Sequence, residues 1–490
     1  MPLRPTPLIV AVMALLSLPT PATATAQALE AELKALRAES HLILQRLQQL
    51  EEKLAQQKID AATAHSYTET DLAADRSSPA LPSQPNTLTP KTDAPPLPPT
   101  ANLSPSAAAQ EEARHTPPPT SPELALKKSQ FILGGRARME VIGNFPSTGG
   151  SHGGDNAGDY YLFGSAVPMD SQGEEGQVTL SARSSRLWLK TETSTSLGSF
   201  KTHTEMDFWG SSGNENVSNS HNPRLRHVYG TLGNFTFGQT SSTFINGRAW
   251  PSSQLDPVGI LYVRQPLLRY TWALDDGDIQ VGLEQPESTL LNSAGESVQP
   301  DDDRLPDIAV KRTWEWDEGH FALSGIVREL RADGTIIPDR RDSVLGGALY
   351  ASGAVNLLEK DNLSLGLAWG EPLGRYATYN AFKDGVIDDA GEIHPLPLVD
   401  GYLSYQHWWN DSWRSVVSIA GAAADNDLDV VADTVPKWVT SYHLNLGMVP
   451  QKNLYFGLEY AHAQKELENG DHGDLDRLIF MTSYDFEKIL

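Results

Sequence analysis

The chain has 490 residues, a formal net charge of -24 at pH 7 and no cysteine. The negative charge argues against nucleic acid as a partner, and the lack of cysteine fits a protein exported through an oxidising compartment. Beyond the N-terminus no apolar run approaches the roughly 20 residues of a membrane helix, although the alternating strands of a membrane β-barrel would escape that test.

Residues 1–26 are typical of a secretory signal peptide. Arg4 supplies the positive charge, residues 8–18 form the apolar core, and Ala24 and Ala26 occupy the small-residue positions of a cleavage site. The apolar core is too short to span a membrane. The mature protein is therefore predicted to begin at Gln27.

Residues 27–60 show the 4-3 apolar spacing of a coiled coil. The seam consists of Leu29, Leu33, Leu36, Ile43, Leu47, Leu50 and Leu54, with the polar Ser40 in register. An amphipathic helix packed on a neighbouring domain is the alternative, but no globular domain follows directly. The pattern favours a parallel oligomeric coiled coil without fixing its strand number.

Residues 61–124 predict a disordered linker. The segment is rich in Pro, Ala, Ser and Thr and contains a single aromatic residue, Tyr67, so it cannot build a core. The linker is predicted to span the distance between the coiled coil and the domain that follows.

Residues 125–490 predict an all-β transmembrane barrel of about sixteen antiparallel strands. Short breaks are expected at 194–198, 232–234, 275–277, 317–319, 359–362, 410–411 and 450–452, and long polar ones at 144–176, 210–223, 240–263, 286–305, 331–342, 371–400, 421–436 and 465–473. Short turns at one rim and long loops at the other are the arrangement of an outer-membrane barrel, whose turns are periplasmic and whose loops are extracellular.

The alternation within strands supports a barrel over a soluble β-sandwich. Near the start of this region, Leu133 and Met139 share one parity while Arg136, Arg138 and Glu140 share the other. A sandwich would not need an apolar outer face on nearly every strand. The ending Tyr484-Asp485-Phe486 is similar to the terminal signal of outer-membrane barrels, but Glu487 to Leu490 follow it and leave the end of the last strand open.

A block of linked motifs lies between Ser185 and Thr271. It contains Ser185-Arg186-Leu187, Arg224-Leu225-Arg226-His227-Val228-Tyr229-Gly230, Phe237-Gly238-Gln239-Thr240 and Arg264-Gln265-Pro266-Leu267-Leu268-Arg269-Tyr270-Thr271. The block resembles the DcaP-like trimeric outer-membrane porins of Gram-negative bacteria. The resemblance implies a homotrimeric channel whose cargo is dicarboxylates or aromatic acids.

Basic residues at inward-parity positions of the first strands, with others in and after the long loop at 240–263, are the predicted solute-binding or pore-lining set. They are Arg136, Arg138, Arg186, Lys190, Arg224, Arg226, Arg248, Arg264 and Arg269. A cationic wall would concentrate small anionic solutes, and the forked donors of arginine suit carboxylates. The alternative is that these side chains form salt bridges within the wall, with Glu140, Glu205 and Asp207 as partners.

The long loop at 240–263 matches in position the third loop of porins, which folds into the lumen and narrows it. It contains Arg248, Trp250, Asp256 and Pro257. We therefore expect it to form the constriction beside the arginines.

No pattern predicts a catalytic site, a cofactor or a metal. The run from Asp425 to Asp429 lacks the Gly and the Glu that a calcium loop needs at its sixth and twelfth positions, so it is interpreted as an acidic surface loop that divalent ions could bridge to lipopolysaccharide. His203, His227, His407 and His443 show no ligand spacing.

The sequence therefore favours a passive channel in the bacterial outer membrane, surrounded by lipid and lipopolysaccharide. The alternative is an envelope tether, in which the periplasmic coiled coil contacts peptidoglycan and the barrel is an anchor. A hydrolase with a Ser-His pair on the barrel wall has no motif in its favour.

The signal peptide predicts a defined processing product. Protein extracted from outer membranes should begin at Gln27, because cleavage follows the small residues at 24 and 26. Intact-mass analysis or N-terminal sequencing measures this directly. Retention of residues 1–26 in the membrane-embedded protein would contradict the exported topology.

Overall fold

The computed structural model describes residues 129–146, 164–169, 176–210, 218–300, 303–332, 334, 336–358 and 360–490. The predicted signal peptide (1–26), coiled coil (27–60) and linker (61–124) lie outside the described residues. Within the described ranges, no helix is both long and apolar enough to cross a membrane.

The described residues are almost entirely β-structure. The strands are β1 (Ser129–Phe145), β2 (Gln177–Ser181), β3 (Arg186–Thr195), β4 (Gly198–Asp207), β5 (Arg224–Leu232), β6 (Phe235–Ser241), β7 (Arg264–Leu274), β8 (Gly277–Glu284), β9 (Leu290–Asn292), β10 (Ser297–Val298), β11 (Asp307–Trp316), β12 (Gly319–Ala332), β13 (Asp342–Leu357), β14 (Asp361–Glu371), β15 (Gly385–Ile387), β16 (Ile393–Pro395), β17 (Leu398–Trp408), β18 (Trp413–Ala424), β19 (Pro436–Gln451), β20 (Leu454–Leu467) and β21 (His472–Ile489). Single 3₁₀ turns occur at Gly164–Ala166, Gly247–Ala249 and Thr378–Asn380.

The large sheet closes on itself through β1. That strand pairs antiparallel with β21 along fourteen residues and, on its other edge, with β3 and then β2. Because β2 and β3 follow one another along the same edge of β1, they are two halves of one barrel strand. The Ser185 hydroxyl bridges the break, since it both donates to the Arg138 carbonyl and accepts from the Arg138 amide. The described chain thus forms a closed barrel of sixteen antiparallel strands.

The predicted succession of short and long connections is confirmed. Seven tight turns of two to four residues join β3 to β4, β5 to β6, β7 to β8, β11 to β12, β13 to β14, β17 to β18 and β19 to β20, and long loops alternate with them. By the rule for this class of barrel, the tight turns face the periplasm. The last strand runs past Phe486 to Ile489, which pairs with Ile132, so the aromatic pair is not the end of the strand.

The barrel has an apolar outer face and a polar inner one. Leu365, Leu403 and Ile419 are cross-strand neighbours and each exposes more than 40% of its surface. Their sequence neighbours Ser404 and Ser418 point inward, are buried, and hydrogen-bond to each other at 2.8 Å. An apolar exterior with a hydrogen-bonded interior is what a lipid environment selects.

Two long loops form a second, small sheet that the sequence did not predict. Strands β9 and β10 come from the loop after β8, β15 and β16 come from the loop after β14, and β9 pairs parallel with β15. Leu290, Ile387 and Ile393 from this sheet pack with the buried Leu330 of β12. The pairing spans almost a hundred residues of sequence, which explains why local alternation did not reveal it.

An arginine substitution on the outer face tests which side of the strands contacts lipid. Leu403→Arg should lower the free energy of unfolding by roughly 2 to 4 kcal/mol, because it sets a charge against hydrocarbon near the middle of β17. The control is Leu358→Arg, which makes the same change in a turn where the side chain is 83% exposed. Denaturant titrations of both variants refolded into lipid vesicles provide the comparison. Equal midpoints would mean that Leu403 does not face lipid.

Candidate pore constriction

The loop between β6 and β7, residues 242–263 and called the inner loop below, folds against the inside of the barrel. Phe244, Val258 and Leu261 are fully buried and belong to the main apolar cluster of the molecule. The backbone amides of the loop bind the buried, inward-facing Glu459 and Ser441 of the barrel wall, so the loop lies within the lumen. The expected position of the loop is confirmed by these contacts.

Glu459 of β20 holds the tip of the inner loop. Its fully buried carboxylate accepts hydrogen bonds from the backbone amides of Gln254 at 2.6 Å and Leu255 at 3.4 Å. Side chains of β19 complete its shell, because His443 lies at 2.9 Å and the Asn445 amide donates at 3.1 Å. A carboxylate with this many partners is a strong anchor, since each partner offsets part of its desolvation.

Backbone amides of the inner loop hold its middle segment against the barrel wall. The Val258 amide donates to the Ser441 hydroxyl, and the Gly259 amide donates to Thr378, whose hydroxyl donates in turn to the buried Asp400. Gly259 has a φ of +86°, and a Cβ there would approach the Gly421 backbone nitrogen to 2.4 Å. Only glycine fits this position, because the loop backbone rests directly on the barrel wall.

The root of the inner loop is tied to three further strands. Asn246 donates to Ser352 of β13 and contacts His320 of β12, while the Lys311 ammonium of β11 donates to the Ile245 carbonyl at 3.1 Å. The tip of the loop is also bound from β1, since the Arg138 guanidinium donates to the Gln254 carbonyl at 3.1 Å. The loop is therefore fastened mainly to the wall that runs from β11 to β20.

The opposite wall presents the basic cluster, which we call the arginine wall: Arg186 of β3, Arg224 and Arg226 of β5, and Arg264 of β7. Arg224 donates two hydrogen bonds to the Asp207 carboxylate, at 3.0 and 2.7 Å. Arg226 bridges Glu205 at 2.7 Å and Asp207 at 2.9 Å. Two of the four arginines are thus committed to wall salt bridges, as the alternative interpretation anticipated.

Arg186 and Arg264 retain spare donors. Arg186 approaches Glu205 only to 3.5 Å, and its buried Nε has no hydrogen-bond partner among the described residues. Arg264 forms no salt bridge with any described carboxylate, and its Nη1 is likewise unpartnered. Strict alternation would place Arg264 on the opposite face of β7 from Arg269. Arg264 is, however, the first residue of the strand. Its guanidinium lies 5.3 Å from the Tyr262 ring and has Arg226 and Asp207 as charged neighbours.

A narrow cavity of about 80 Å³ separates the inner loop from the arginine wall on the extracellular side. Arg138, Arg186 and Arg226 line the wall side together with the carboxylates Glu140 and Asp207, and Gln254 and Asp256 line it from the loop. The Asp256 carboxylate is held by the Tyr379 hydroxyl. We call this space the extracellular-side cavity. It brings together three of the predicted site residues at the tip of the loop.

The remaining predicted residues have other surroundings. Arg136 forms a two-pronged pair with Asp485 at 2.6 and 2.8 Å, and Arg138 pairs with Glu140 at 2.6 Å. Lys190 pairs with Glu487 at 2.6 Å, and the largely exposed Arg248 pairs with Glu315. Arg269 supports the root of the inner loop by donating to Thr243 and to the Ser241 carbonyl.

Two residues beside the constriction were missed from the sequence. Arg414 of β18 has inward parity, because Trp413, Val417 and Ile419 are exposed on the outer face. This alternation is present in the sequence and would have identified Arg414 as a lumen-facing residue. Gln254 is 7% exposed and lines the constriction from the loop, where no periodicity exists to predict which way a side chain points.

Acidic side chains also lie in the loops. At the turn between β15 and β16, the Glu392 backbone amide donates to the Asp388 carboxylate, and His394 lies 3.2 Å from it. The hydrogen bond from the Glu392 amide holds the pKa of Asp388 below its ordinary value. This carboxylate therefore stays ionised and adds to the negative charge of the loops.

The closed barrel of sixteen strands, its lumen narrowed by an inner loop beside charged side chains, defines an outer-membrane porin. The family model of the DcaP outer membrane protein matches residues 161–486, more than half of the chain, and the chain belongs to that family. The barrel therefore lies in the outer membrane.

The chain also matches solved structures. The outer membrane channel DcaP of Acinetobacter baumannii matches with a TM-score of 0.61 at 19% identity, covering 74% of this chain and 98% of that chain. An anion-selective porin from Comamonas acidovorans matches with a TM-score of 0.45 at 11% identity, covering 73% and 100%. The trimer form of OmpT from Vibrio cholerae gives 0.44 at 9% identity, covering 73% and 99%. No curated protein matches the chain.

Releasing the tip of the inner loop should change the pore. Glu459→Ala leaves the Gln254 and Leu255 amides without their acceptor, at a cost of roughly 1 to 3 kcal/mol, so the loop should loosen and the single-channel current should become noisier. Amide hydrogen exchange across residues 242–263 should rise in the same variant. Glu466→Ala is the control, since that carboxylate lies on the same strand but pairs with Lys437. Unchanged exchange in Glu459→Ala would mean that other contacts hold the tip.

Proposed function

We propose that the protein gives passive, anion-preferring diffusion of small solutes such as dicarboxylates or aromatic acids across the outer membrane. The observation that supports this most directly is the pair of arginines with spare donors, Arg186 and Arg264. A guanidinium without a full carboxylate shell can bind a passing anion without first breaking a wall salt bridge. The overall charge of -24 does not oppose this, because the pore field depends on the groups at the narrow zone.

An aromatic row beside Arg264 fits the proposed aromatic cargo. The Tyr262 ring lies 5.6 Å from Trp250 and 4.9 Å from Tyr379, and all three side chains are partly exposed. Arg264 lies at the end of this row. A flat organic acid could rest its ring on these faces while its carboxylate meets the guanidinium.

The proposed role is transport without catalysis. The buried polar residues nearest the constriction hold the inner loop, as Glu459, His443 and Ser441 do, and their hydrogen bonds are occupied by loop amides or by each other. Such groups position a channel loop and are not free to attack a substrate. No cofactor is proposed.

We further propose that the chain assembles as a homotrimer whose N-terminal coiled coil lies in the periplasm. The heptad spacing at 27–60 supports an oligomeric helix, and residues 61–124 would give it reach from the barrel. An even number of barrel strands puts both ends of the barrel at the periplasmic rim, where such a segment has to begin. Contact with peptidoglycan through this segment is part of the proposal.

Reversing the charge of the two spare arginines tests the anion preference. Arg186→Glu combined with Arg264→Glu should move the channel from anion toward cation preference, because an attractive field becomes repulsive. At an effective dielectric of 20, charges about 4 Å apart interact by roughly 4 kcal/mol, and even about a tenth of that changes a permeability ratio about twofold. Reversal potentials in a salt gradient measure the ratio.

The control for this experiment is Arg340→Glu combined with Arg341→Glu, which makes the same change in net charge in the exposed loop before β13. It should leave the permeability ratio near that of the unmodified channel. If the ratio of the Arg186 and Arg264 variant also stays unchanged, these arginines serve only the wall and the proposed anion preference loses its physical basis.

A further inference from the structure

A second cavity, of about 280 Å³, lies on the periplasmic side of the inner loop. Its walls include Arg136, Arg138 and Arg414, and its roof is the loop segment from Ser252 to Gln254. The turn residue Asn453 lines its lower end, which places the cavity toward the periplasmic rim. We call it the periplasmic-side cavity.

The charge of this cavity is positive. Among the residues that line it, Asp485 is the acidic one, and Arg136 already holds it with two hydrogen bonds. Arg138 is paired with Glu140, which lies beyond the cavity. Arg414 forms no salt bridge with any described carboxylate; it donates to the neutral Gln406 and lies 5.3 Å from the Tyr455 ring. Its charge is therefore available to a ligand.

Buried hydrogen-bonding atoms without partners belong to residues in the walls of this cavity. The side chain of Gln254 is more than nine-tenths buried, and neither its amide nitrogen nor its carbonyl oxygen has a partner among the described residues. The Nε atoms of Arg138 and Arg414 and the Ser253 hydroxyl are also unpartnered. Leaving a buried polar group unsatisfied costs roughly 1 to 3 kcal/mol, so such a concentration is unusual outside a binding site.

Two glycines make room for this arrangement. A Cβ at Gly457 would come within 2.2 Å of the Gln254 amide nitrogen, and a Cβ at Gly447 would come within 2.7 Å of the Tyr455 hydroxyl. Both glycines point inward on neighbouring strands, β19 and β20, and pair with each other. Because the two glycines have no side chains, the wall leaves space for the Gln254 amide and the Tyr455 hydroxyl. The backbone of β19 and β20 therefore fixes where the Gln254 amide can lie.

We infer that the periplasmic-side cavity is a second anion subsite, which binds the carboxylate of a solute that has passed the constriction. Arg414 and Arg138 supply the positive charge, and Gln254 with Ser253 supplies neutral donors. Gln254 lines both cavities, so a carboxylate that moves between Arg186 and Arg414 passes this residue. This inference rests on the proposed anion channel and adds a second binding position to it.

Succinate is the probe that tests the subsite, in single-channel recordings of the full chain in planar bilayers. Bound succinate should interrupt the current, and Arg414→Gln should shorten the interruptions about tenfold, as expected for the loss of one charge-assisted hydrogen bond. Uncharged succinamide should not interrupt the current in either protein. The control is Arg312→Gln, which removes an arginine that pairs with Asp276 at the end of a turn and lines neither cavity.

Gln254→Met provides a second variant whose folding is secure. Because the amide has no partner, a methionine of similar size should leave the denaturation midpoint unchanged or raise it, while it shortens the succinate interruptions. A purely structural role for Gln254 predicts the reverse, with lower stability and unchanged interruptions. The pair of measurements therefore separates binding from packing.

The outcomes separate this inference from the proposed function. If the unmodified channel shows no anion preference, the proposed function fails and the subsite fails with it. If the channel prefers anions but succinate causes no interruptions, or Arg414→Gln and Gln254→Met leave their duration unchanged, the subsite is wrong and the function stands. Shorter interruptions in both variants, with unchanged ones in Arg312→Gln, support it.

Discussion

Every strand in this barrel depends on the closure between β1 and β21. A membrane offers no water to unpaired amides and carbonyls, so a sheet that spans it must have no open edge. Fourteen residues of β1 pair with β21, and the other edge of β1 takes up β3 and β2. This closure makes one face of every strand external and apolar. It also encloses a space that can only be lined by the remaining, mostly polar side chains.

The enclosed space is divided unequally by the inner loop. The loop fastens to the side of the barrel formed by β11 to β20, through Glu459, Ser441 and Lys311. Arg186 and Arg226 of the arginine wall line the gap that remains. The proposed anion preference therefore rests on a few arginines beside the inner loop. Within the wall, the carboxylates Glu205 and Asp207 fix Arg224 and Arg226 in place, and this leaves Arg186 and Arg264 with donors to spare.

Strand order and connection lengths were predictable because they depend on local rules. Alternation has a period of two residues, and turn residues interrupt it at each rim, so sixteen strands follow from a single pass along the chain. The small sheet of β9, β10, β15 and β16 escaped prediction because its central pair joins two loops that are distant in sequence. The extension of β21 past Phe486 escaped for a similar reason, since its pairing with β1 decides where it ends.

The sequence by itself determined the barrel, its orientation and the candidate basic residues, because parity and loop length are properties of neighbouring residues. It could not determine which arginine has a partner. Arg226 and Arg264 look alike in sequence, yet one bridges two carboxylates and the other forms no salt bridge with a described residue. Whether a guanidinium is satisfied depends on strands brought together across the barrel and on a loop folded into it. Only the tertiary structure sets those distances, and with them the positions where an anion could bind.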